Sequence, residues 1–204
     1  MLPFNLQKWI DENRDLLKPP IGNKNLYKEA GDFIVMVVGG PNSRKDYHYN
    51  ESEELFYQIE GDIQVRIQEN GKAKLIEIKQ GELFLLPGNT PHSPIRGENT
   101  VGLVIEKVRK GTDLVDGLMW FCENCNHPLL TYRFPLTNIE TDFIPRFKEF
   151  YSSEEMRKCK KCGTVLSDPE RLKKHEEKAH NKKKEKCRVC EQEFDYSEEL
   201  RKHK

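Results

Sequence analysis

Three residues, His48, Glu54 and His92, have the types and the spacing of a metal-binding set. Two imidazoles and one carboxylate form the facial triad that holds non-haem iron(II) in oxygenases. Such a triad covers one face of the ion and leaves open positions on the other, where dioxygen and a substrate can bind together. Each histidine alone could be structural, but the joint spacing favours a catalytic Fe(II) site.

The six cysteines form three C-x-x-C pairs, which offer a second kind of metal chemistry. The pairs are Cys122/Cys125, Cys159/Cys162 and Cys187/Cys190. In an intracellular chain, such pairs indicate metal knuckles rather than disulfides. A redox-active dithiol usually opens a helix after a strand, and the sequence around these pairs lacks that pattern.

The first two pairs could close one tetrahedral site for a second iron or a zinc ion. Its ligands would be Cys122, Cys125, Cys159 and Cys162. Asn126 directly follows the first pair and Gly163 the second. Both residue types tolerate the left-handed backbone that a knuckle turn requires.

A competing allocation gives the second pair to a Cys2His2 zinc finger. The matching pattern is Cys159-x2-Cys162-x12-His175-x4-His180. A second, incomplete unit repeats it as Cys187-x2-Cys190-x12-His203. Because one pair cannot serve two metals, the two allocations exclude each other, and the sequence favours the four-cysteine site only slightly. The helix positions that would face DNA bases are mixed in charge, so we expect a structural tail rather than a nucleic-acid-binding one.

The elements that must position the triad are mostly short strands. Residues 33–38 are an apolar run, residues 63–67 alternate between apolar and polar, and Asn70-Gly71 predicts a tight hairpin. Further strands are expected over residues 83–86 and 101–108. Many short strands separated by turn residues predict an all-β sandwich or barrel.

Helical periodicity and composition mark the two ends of the chain. Apolar residues at helical spacing predict a helix over residues 5–17.

The overall net charge is zero, but residues 151–204 contain 16 Lys and Arg against 12 Asp and Glu, which leaves 18 against 22 for residues 1–150. The tail has few large apolar side chains and would need a metal or a partner to order. We therefore predict a β-domain over residues 1–150 and a small α/β metal-binding appendage over residues 151–204.

The sequence also bears on location. No segment approaches the roughly 20 apolar residues that a membrane span needs. The N-terminal residues lack the basic and apolar blocks of a signal peptide. We expect a cytoplasmic protein without membrane partners.

Longer motifs extend these patterns to a family. The spacings His48-x5-Glu54-x6-Gly61 and Gly81-x5-Pro87-x4-His92 resemble the two motifs of the cupin barrel, a double-stranded β-helix or jelly roll. Over roughly residues 1–165 the chain resembles the 3-hydroxyanthranilate 3,4-dioxygenases. The resemblance is carried by the strings PPIGNKNLY, GGPNSRKDYHYNESEELFYQIEGD, LPGNTPHSPIR and GLVIEKVR.

The resemblance implies an activity and an oligomeric state. That family opens the ring of 3-hydroxyanthranilate with dioxygen in an extradiol-type reaction. The product, 2-amino-3-carboxymuconate semialdehyde, leads from tryptophan and kynurenine towards quinolinate and NAD. The family also suggests a homodimer, and its bacterial members carry a four-cysteine metal site away from the chemistry.

The resemblance further implies roles for single residues. His48, Glu54 and His92 are the expected iron ligands, Arg44 and Arg96 the expected clamp for the substrate carboxylate, and Glu106 the expected partner of its amino-phenol edge. The residue types suit these roles. A planar guanidinium binds a carboxylate through two hydrogen bonds. We expect Arg44 on one strand face with His48, and Arg96 on the same turn as His92. Glu106 lies in an apolar strand, where an unpaired acid would be costly.

Two alternatives remain open on sequence alone. The chain could be a metal-binding regulatory or nucleic-acid-binding protein that uses a cupin as its sensor, or a cupin dioxygenase for another aminophenol carboxylate. Salt-dependent DNA binding without oxygen uptake would favour the regulator. The arginine clamp predicts an acidic substrate for either enzyme.

Overall fold

The computed structural model describes residues 3–18, 22–42, 44–139, 141–169, 185–186 and 193–194. The chain divides into two compact units, residues 1–166 and 167–204. In the second unit, the described residues form a short antiparallel pair, β12 (Glu185–Lys186) and β13 (Glu193–Phe194). The elements of the first unit are α1 Leu6–Glu12, a 3₁₀ helix Arg14–Leu17, β1 Asn23–Asn25, β2 Phe33–Gly39, β3 Tyr47–Tyr49, β4 Glu54–Glu60, β5 Ile63–Glu69, β6 Lys72–Ile78, β7 Leu83–Leu86, β8 His92–Arg96, β9 Val101–Lys107, β10 Asp116–Phe121, β11 Pro128–Phe134, α2 Ile144–Ser152 and α3 Glu154–Arg157.

Two antiparallel sheets make up the first unit. The strand order is β1-β2-β9-β4-β7 in one sheet and β11-β10-β3-β8-β5-β6 in the other. Neighbouring strands are mostly distant in sequence, as in a jelly roll, where strands switch between two sheets. The predicted all-β jelly-roll class is confirmed.

The inner faces of the sheets meet in one core. On β5, Ile63, Val65 and Ile67 are buried while the residues between them are partly exposed, because successive strand side chains point to opposite faces. These three residues pack in one cluster with Phe56 and Val104 of the other sheet. The packing fixes the separation of the sheets and hence the position of any side chain that points between them.

The predicted hairpin is confirmed. Asn70 and Gly71 form the two-residue loop between β5 and β6, in which Glu69 pairs with Lys72. Their φ angles are 51° and 74°. A left-handed conformation at both loop residues is typical of the type I′ turn, whose twist matches that of the strands.

The N-terminal helix forms, but in two pieces. The side chain of Asn5 accepts a hydrogen bond from the backbone N–H of Lys8 at 2.9 Å and so caps α1. After α1 ends, the 3₁₀ helix continues to Leu17. Ile10 and Leu17 are buried against Val37 of β2. The N-terminal segment therefore covers part of the outer face of the five-stranded sheet.

Two helices that the sequence patterns did not predict pack on the β-structure. In α2, Phe150 stacks on Trp120 of β10 with ring centroids 4.2 Å apart. Leu166 is buried in the same cluster, so the compact unit ends after Leu166, whereas the composition changes near residue 150. The two-domain organisation stays a prediction. No helix within the described residues is long and apolar enough to cross a membrane.

Candidate metal centre and substrate site

The structure brings the three predicted triad residues together between the sheets. His48 on β3 and His92 on β8 are direct cross-strand partners, and Glu54 begins β4 of the other sheet. The Nδ1 atom of His48 lies 3.3 Å from one oxygen of Glu54, and the Nε2 atom of His92 lies 3.1 Å from the other. All three side chains are buried. Their convergence is observed, and their role as ligands stays a prediction.

In each histidine, the ring nitrogen that faces away from Glu54 (the outer nitrogen) also has a hydrogen-bond partner. The Nε2 atom of His48 lies 2.7 Å from Oδ1 of Asp116, and Nδ1 of His92 lies 3.0 Å from the carbonyl oxygen of Thr90. A proton on each outer nitrogen leaves the lone pair of the inner nitrogen facing Glu54. Second contacts of this kind fix the tautomer and the orientation of metal-binding histidines. The donor set therefore fits a divalent metal.

The charges around the triad give the same fit. Glu54, Glu106 and Asp116 are buried carboxylates, and the buried Arg109 contacts two of them. Among these four side chains the acidic groups outnumber the cationic one, which suits a bound cation.

When no metal is bound, a proton on His48 supplies the positive charge in its place. Burial lowers the pKa of His48, but hydrogen bonds to Asp116 and Glu54 outweigh burial and raise this pKa to about 9. Burial raises the pKa of Glu54, but His92 and His48 reverse the effect and hold this pKa well below its ordinary value. The metal-free centre is thus an imidazolium–carboxylate pair, and the metal must displace that proton.

Glu106 lies directly across from Glu54 in the register of β9 and β4. The amide of Asn50 donates to both carboxylates, at 2.5 Å to Glu54 and 3.3 Å to Glu106. Burial and the nearby Glu54 raise the pKa of Glu106 to about 8. Asn50 therefore bridges the triad to the second acid.

Arg96 is a buried cation in the same inter-sheet space. It lies four residues after His92 on the same strand, so the expected placement on one turn was wrong. Its Nη1 atom donates to Oε1 of Gln58 at 3.3 Å, and its Nε atom has no hydrogen-bond partner among the described residues. Burial lowers its pKa to about 10. A buried guanidinium without a carboxylate partner in the described chain is suited to an anionic ligand.

Arg44 is placed differently from the expectation. It precedes β3 instead of lying on it, and 43% of its side chain is exposed. Its Nε and Nη2 atoms donate to the two oxygens of Asp46, at 3.0 and 2.5 Å. Its guanidinium lies over Phe147 and Phe143, and the ring of Phe143 contacts that of His48. Arg44 therefore lies beside the triad with its charge already paired.

The site has three layers along the strands. On β4, Glu54, Phe56 and Gln58 all point inward and are buried. On β8, His92 and Arg96 occupy the two outer layers, and their Cα atoms are about 13 Å apart by strand geometry. An apolar layer that contains Phe56 thus separates the layer of the triad from a cationic one.

The four cysteines of the predicted knuckle site also converge. The Sγ atoms of Cys122 and Cys162 lie 3.5 Å apart, and those of Cys125 and Cys159 lie 3.6 Å apart. All four sulfurs lie within 4.8 Å of one another. A tetrahedral ion with metal–sulfur bonds of about 2.3 Å would place its sulfurs about 3.8 Å apart. The arrangement fits a closed structural metal site.

The backbone around these cysteines forms two knuckle turns. Asn126 has φ 55° and Gly163 has φ 78°, which confirms the left-handed geometry expected there. Their backbone N–H groups donate to the carbonyls of Cys122 and Cys159, at 2.8 and 2.9 Å. The geometry supports the four-cysteine allocation. The other residues of the finger hypothesis lie outside the described residues: His175, His180, Cys187, Cys190 and His203.

Sequence reasoning missed several residues of the site. Asp116, Arg109 and Gln58 were not assigned to it, although all three are buried and polar. Asp116 begins an apolar strand, and Glu106 likewise lies within one. Because an unpaired buried acid is costly, these positions were the signal in the sequence that each acid has a partner. Their partners could not be inferred because they depend on the strand order.

Comparisons with known proteins find close relatives of this chain. The family model described as 3-hydroxyanthranilic acid dioxygenase matches residues 1–151. A protein named 3-hydroxyanthranilate 3,4-dioxygenase from Xanthomonas oryzae pv. oryzae is 51% identical over 169 residues, which are 83% of this chain and 94% of that protein. One of the same name from Bacillus thuringiensis is 46% identical over 166 residues, 81% of this chain and 92% of that protein.

Solved structures also match. A cupin-2 domain containing protein from Shewanella frigidimarina has 18% identity and a TM-score of 0.40, over 51% of this chain and all of that one. The family match covers most of the first unit, and the curated relatives are matched over nearly their whole length. The chain belongs to the 3-hydroxyanthranilic acid dioxygenase family.

Proposed function

We propose that this chain is an iron(II)-dependent dioxygenase that opens the ring of 3-hydroxyanthranilate. The relatives are named for this substrate. The observation that carries the proposal is the buried Arg96, which has no carboxylate partner in the described chain and lies on the same strand as His92. A ligand that satisfies it must carry an anion at one end and must reach a metal at the other.

The layers of the site suit this substrate. A planar arginine can bind the carboxylate through two hydrogen bonds. Phe56 provides an apolar surface for the aromatic ring, and the triad lies where the hydroxyl and amino groups would reach. Arg44 would contribute only after release from Asp46, so we assign the carboxylate to Arg96 first and keep Arg44 as a second contact.

Glu106 is suited to proton exchange at the reacting edge. It is buried next to Glu54, and a pKa of about 8 lets it hold or release a proton near neutrality. We assign it the proton of the substrate hydroxyl. Iron(II), when bound to the triad, would supply the one-electron chemistry that dioxygen needs. The protein residues bind the carboxylate, orient the ring and hold the proton.

The donor sets assign the two metals. Two histidines and one carboxylate with open positions suit iron(II) at the triad. Four thiolates suit zinc or iron at the cysteine site, which has no open position and hence a structural role. Free cysteines that converge in this way favour a reducing, cytoplasmic location.

The test is oxygen uptake by anaerobically iron-loaded protein on addition of 3-hydroxyanthranilate. With isotopically labelled dioxygen, both labelled atoms should appear in the ring-opened product. The His48→Ala variant is the control and should consume no oxygen. Folded, iron-loaded protein that consumes no oxygen would exclude the proposed reaction.

A substrate analogue tests the role assigned to Arg96. 2-Aminophenol lacks the carboxylate but keeps both groups that face the metal. It should show a kcat/KM about 100-fold lower than the acid, because one charged contact is lost. Equal kcat/KM values for the two compounds would contradict the clamp.

We also propose a homodimer, supported by the outer face of the five-stranded sheet. Tyr57 and Leu83 pair across β4 and β7, and Leu85 follows on the same face. Leu83 is 66% exposed and Leu85 is 53% exposed. Exposed apolar patches of this kind mark interaction surfaces. Sedimentation analysis should show a dimer, and the paired substitution Leu83→Lys with Leu85→Lys should shift it to a monomer, whereas a monomeric native chain would contradict the proposal.

A further inference from the structure

A closed ring of buried side chains includes two of the three triad residues. It runs from His48 through Asp116, Arg109, Glu106, Asn50 and Glu54 and returns to His48. The triad occupies only part of this ring. The remaining members connect the back of one ligand to the acid on the substrate side, and Arg109 stands at the middle of that connection.

Arg109 contacts both carboxylates with different atoms of one guanidinium. Its Nε atom donates to Oδ2 of Asp116 at 2.6 Å, and its Nη1 atom donates to Oε2 of Glu106 at 2.9 Å. Nη1 also donates to the carbonyl of Lys107 at 2.8 Å, which holds the guanidinium at the end of β9. Because a guanidinium is planar and rigid, these contacts fix the two acids relative to each other.

The two acids face different parts of the site. Asp116 accepts from Nε2 of His48 with its other oxygen, at 2.7 Å, and so orients this imidazole towards Glu54. Glu106 lies opposite Glu54 and receives a hydrogen bond from Asn50. A displacement of Arg109 would therefore release the histidine and Glu106 together.

We propose that Arg109 is a positioning residue, which orients His48 through Asp116 and holds Glu106 beside the substrate. The inference rests on the proposed function for the role of Glu106, and on geometry alone for the effect on His48. Among the described residues, Arg109 bonds Asp116, Glu106 and the carbonyl of Lys107, and it bonds none of the three triad residues. Its removal should affect metal affinity and kcat, and should leave the substrate KM nearly unchanged.

The test variant is Arg109→Lys, which keeps the charge but loses the fork. Iron(II) affinity is measured by anaerobic chelator competition, with the cysteine site first filled with zinc. We expect affinity to fall about 10-fold, the lower end of the effect of residues behind a metal ligand. We expect kcat to fall about 10- to 100-fold with KM changed less than about threefold, since Arg96 is untouched.

Two further variants test whether Arg109 acts on His48 through Asp116. Asp116→Asn should weaken iron(II) binding at least as much as Arg109→Lys. Arg157→Lys is the matched control, because Arg157 is also a buried arginine but bonds the carbonyl of Leu166 instead of the site. The control should leave iron affinity and kcat unchanged. Folded Arg109→Lys protein with iron affinity within about twofold of the native chain would overturn the proposal.

A second measurement applies if Arg109→Lys does not fold. The effects of Asp116→Asn and Glu106→Gln on iron(II) affinity are measured singly and together in the native background. Coupling through Arg109 predicts a departure from additivity of at least about threefold, and additive effects would overturn the proposal. If the native chain binds iron but consumes no oxygen, the proposed function fails, while the affinity measurements still decide whether Arg109 orients His48.

Discussion

The triad and the four-cysteine group are both candidate metal sites, but they differ in what supports them. The triad joins two sheets, and its His48 is oriented by the buried carboxylate of Asp116, which Arg109 contacts in turn. The cysteines lie on two short turns, each of which is closed by a hydrogen bond within its own backbone. A site with three ligands and open positions can exchange ligands, whereas four thiolates enclose the ion. The comparison separates the proposed catalytic centre from the proposed structural one within a single compact unit.

The sharpest test of this difference is removal of the triad carboxylate. Glu54→Ala should abolish iron binding at the triad and lower activity at least about 1,000-fold, because two imidazoles alone hold iron(II) weakly. Metal analysis should show loss of the triad metal with full retention of the cysteine metal. Retained activity in this variant would place the chemistry elsewhere.

Arg96 should separate binding from chemistry. Arg96→Lys should raise KM for 3-hydroxyanthranilate about 100-fold, because lysine cannot form the paired contact and its ammonium is costlier to bury. Arg14→Lys is the matched control, since Arg14 pairs with Glu60 at the surface. Steady-state kinetics would contradict the assignment if both variants behaved alike.

A smaller effect is expected from the residue that leaves room for Arg96. A Cβ atom at Gly102 would lie 2.7 Å from Oε1 of Gln58 and 2.9 Å from Nη1 of Arg96. Gly102→Ala should therefore displace the guanidinium and raise KM about 10-fold, with little loss of stability because flexible side-chain ends can move. KM and the melting temperature, measured together, test this. An unchanged KM would show that Arg96 tolerates the displacement.

Loss of a cysteine should lower stability and leave activity per bound iron nearly unchanged. Cys159→Ser should remove the structural metal and lower the melting temperature by roughly 5–10 °C, because metal binding contributes to folding. The kcat per bound iron should stay within about twofold of the native value, as expected for a site remote from the chemistry. A large fall in kcat per iron would contradict the prediction that the two centres act separately.

The smallest effect is a pH dependence of the metal-free protein. The pKa of His48 is about 9 in the folded chain, above the value of about 6.5 expected when unfolded. The stability that this histidine contributes is present below about pH 6.5 and is lost as pH rises towards 9. The melting temperature of metal-free protein should fall by roughly 5 °C over this range.

Iron should suppress that decline, because the metal replaces the proton on His48. Thermal scans with and without iron(II), at pH 6.5 and 8.5, check the prediction. The His48→Asn variant should lose most of the slope. A metal-free native chain whose melting temperature is constant across this range would contradict the protonated state described above.

Local sequence signals predicted some parts of the molecule well. The Asn70-Gly71 loop and the knuckle turn at Gly163 depend on backbone preferences of single residues. The convergence of His48, Glu54 and His92 followed from motif spacing. These features need little information about distant parts of the chain.

Other parts depend on contacts that spacing does not encode. Asp116 reaches His48 because β10 lies beside β3, and no local pattern contains that strand order. Arg44 was expected on a strand, but its pairing with Asp46 and its contact with Phe147 of α2 hold it elsewhere. That helix was itself missed, although Phe147, Phe150 and Tyr151 recur at helical spacing and pack on Trp120.

The strand order also has a consequence for how the protein would acquire iron at the triad. β3 lies between β8 and β10, so the strand of His48 is completed only by partners that are synthesised much later. Such distant pairings form late and slowly in folding, because a long loop must close first. A nascent chain thus has no triad to present, and iron uptake should wait until the barrel has closed. Each C-x-x-C pair, by contrast, can begin to bind metal as soon as its own turn forms.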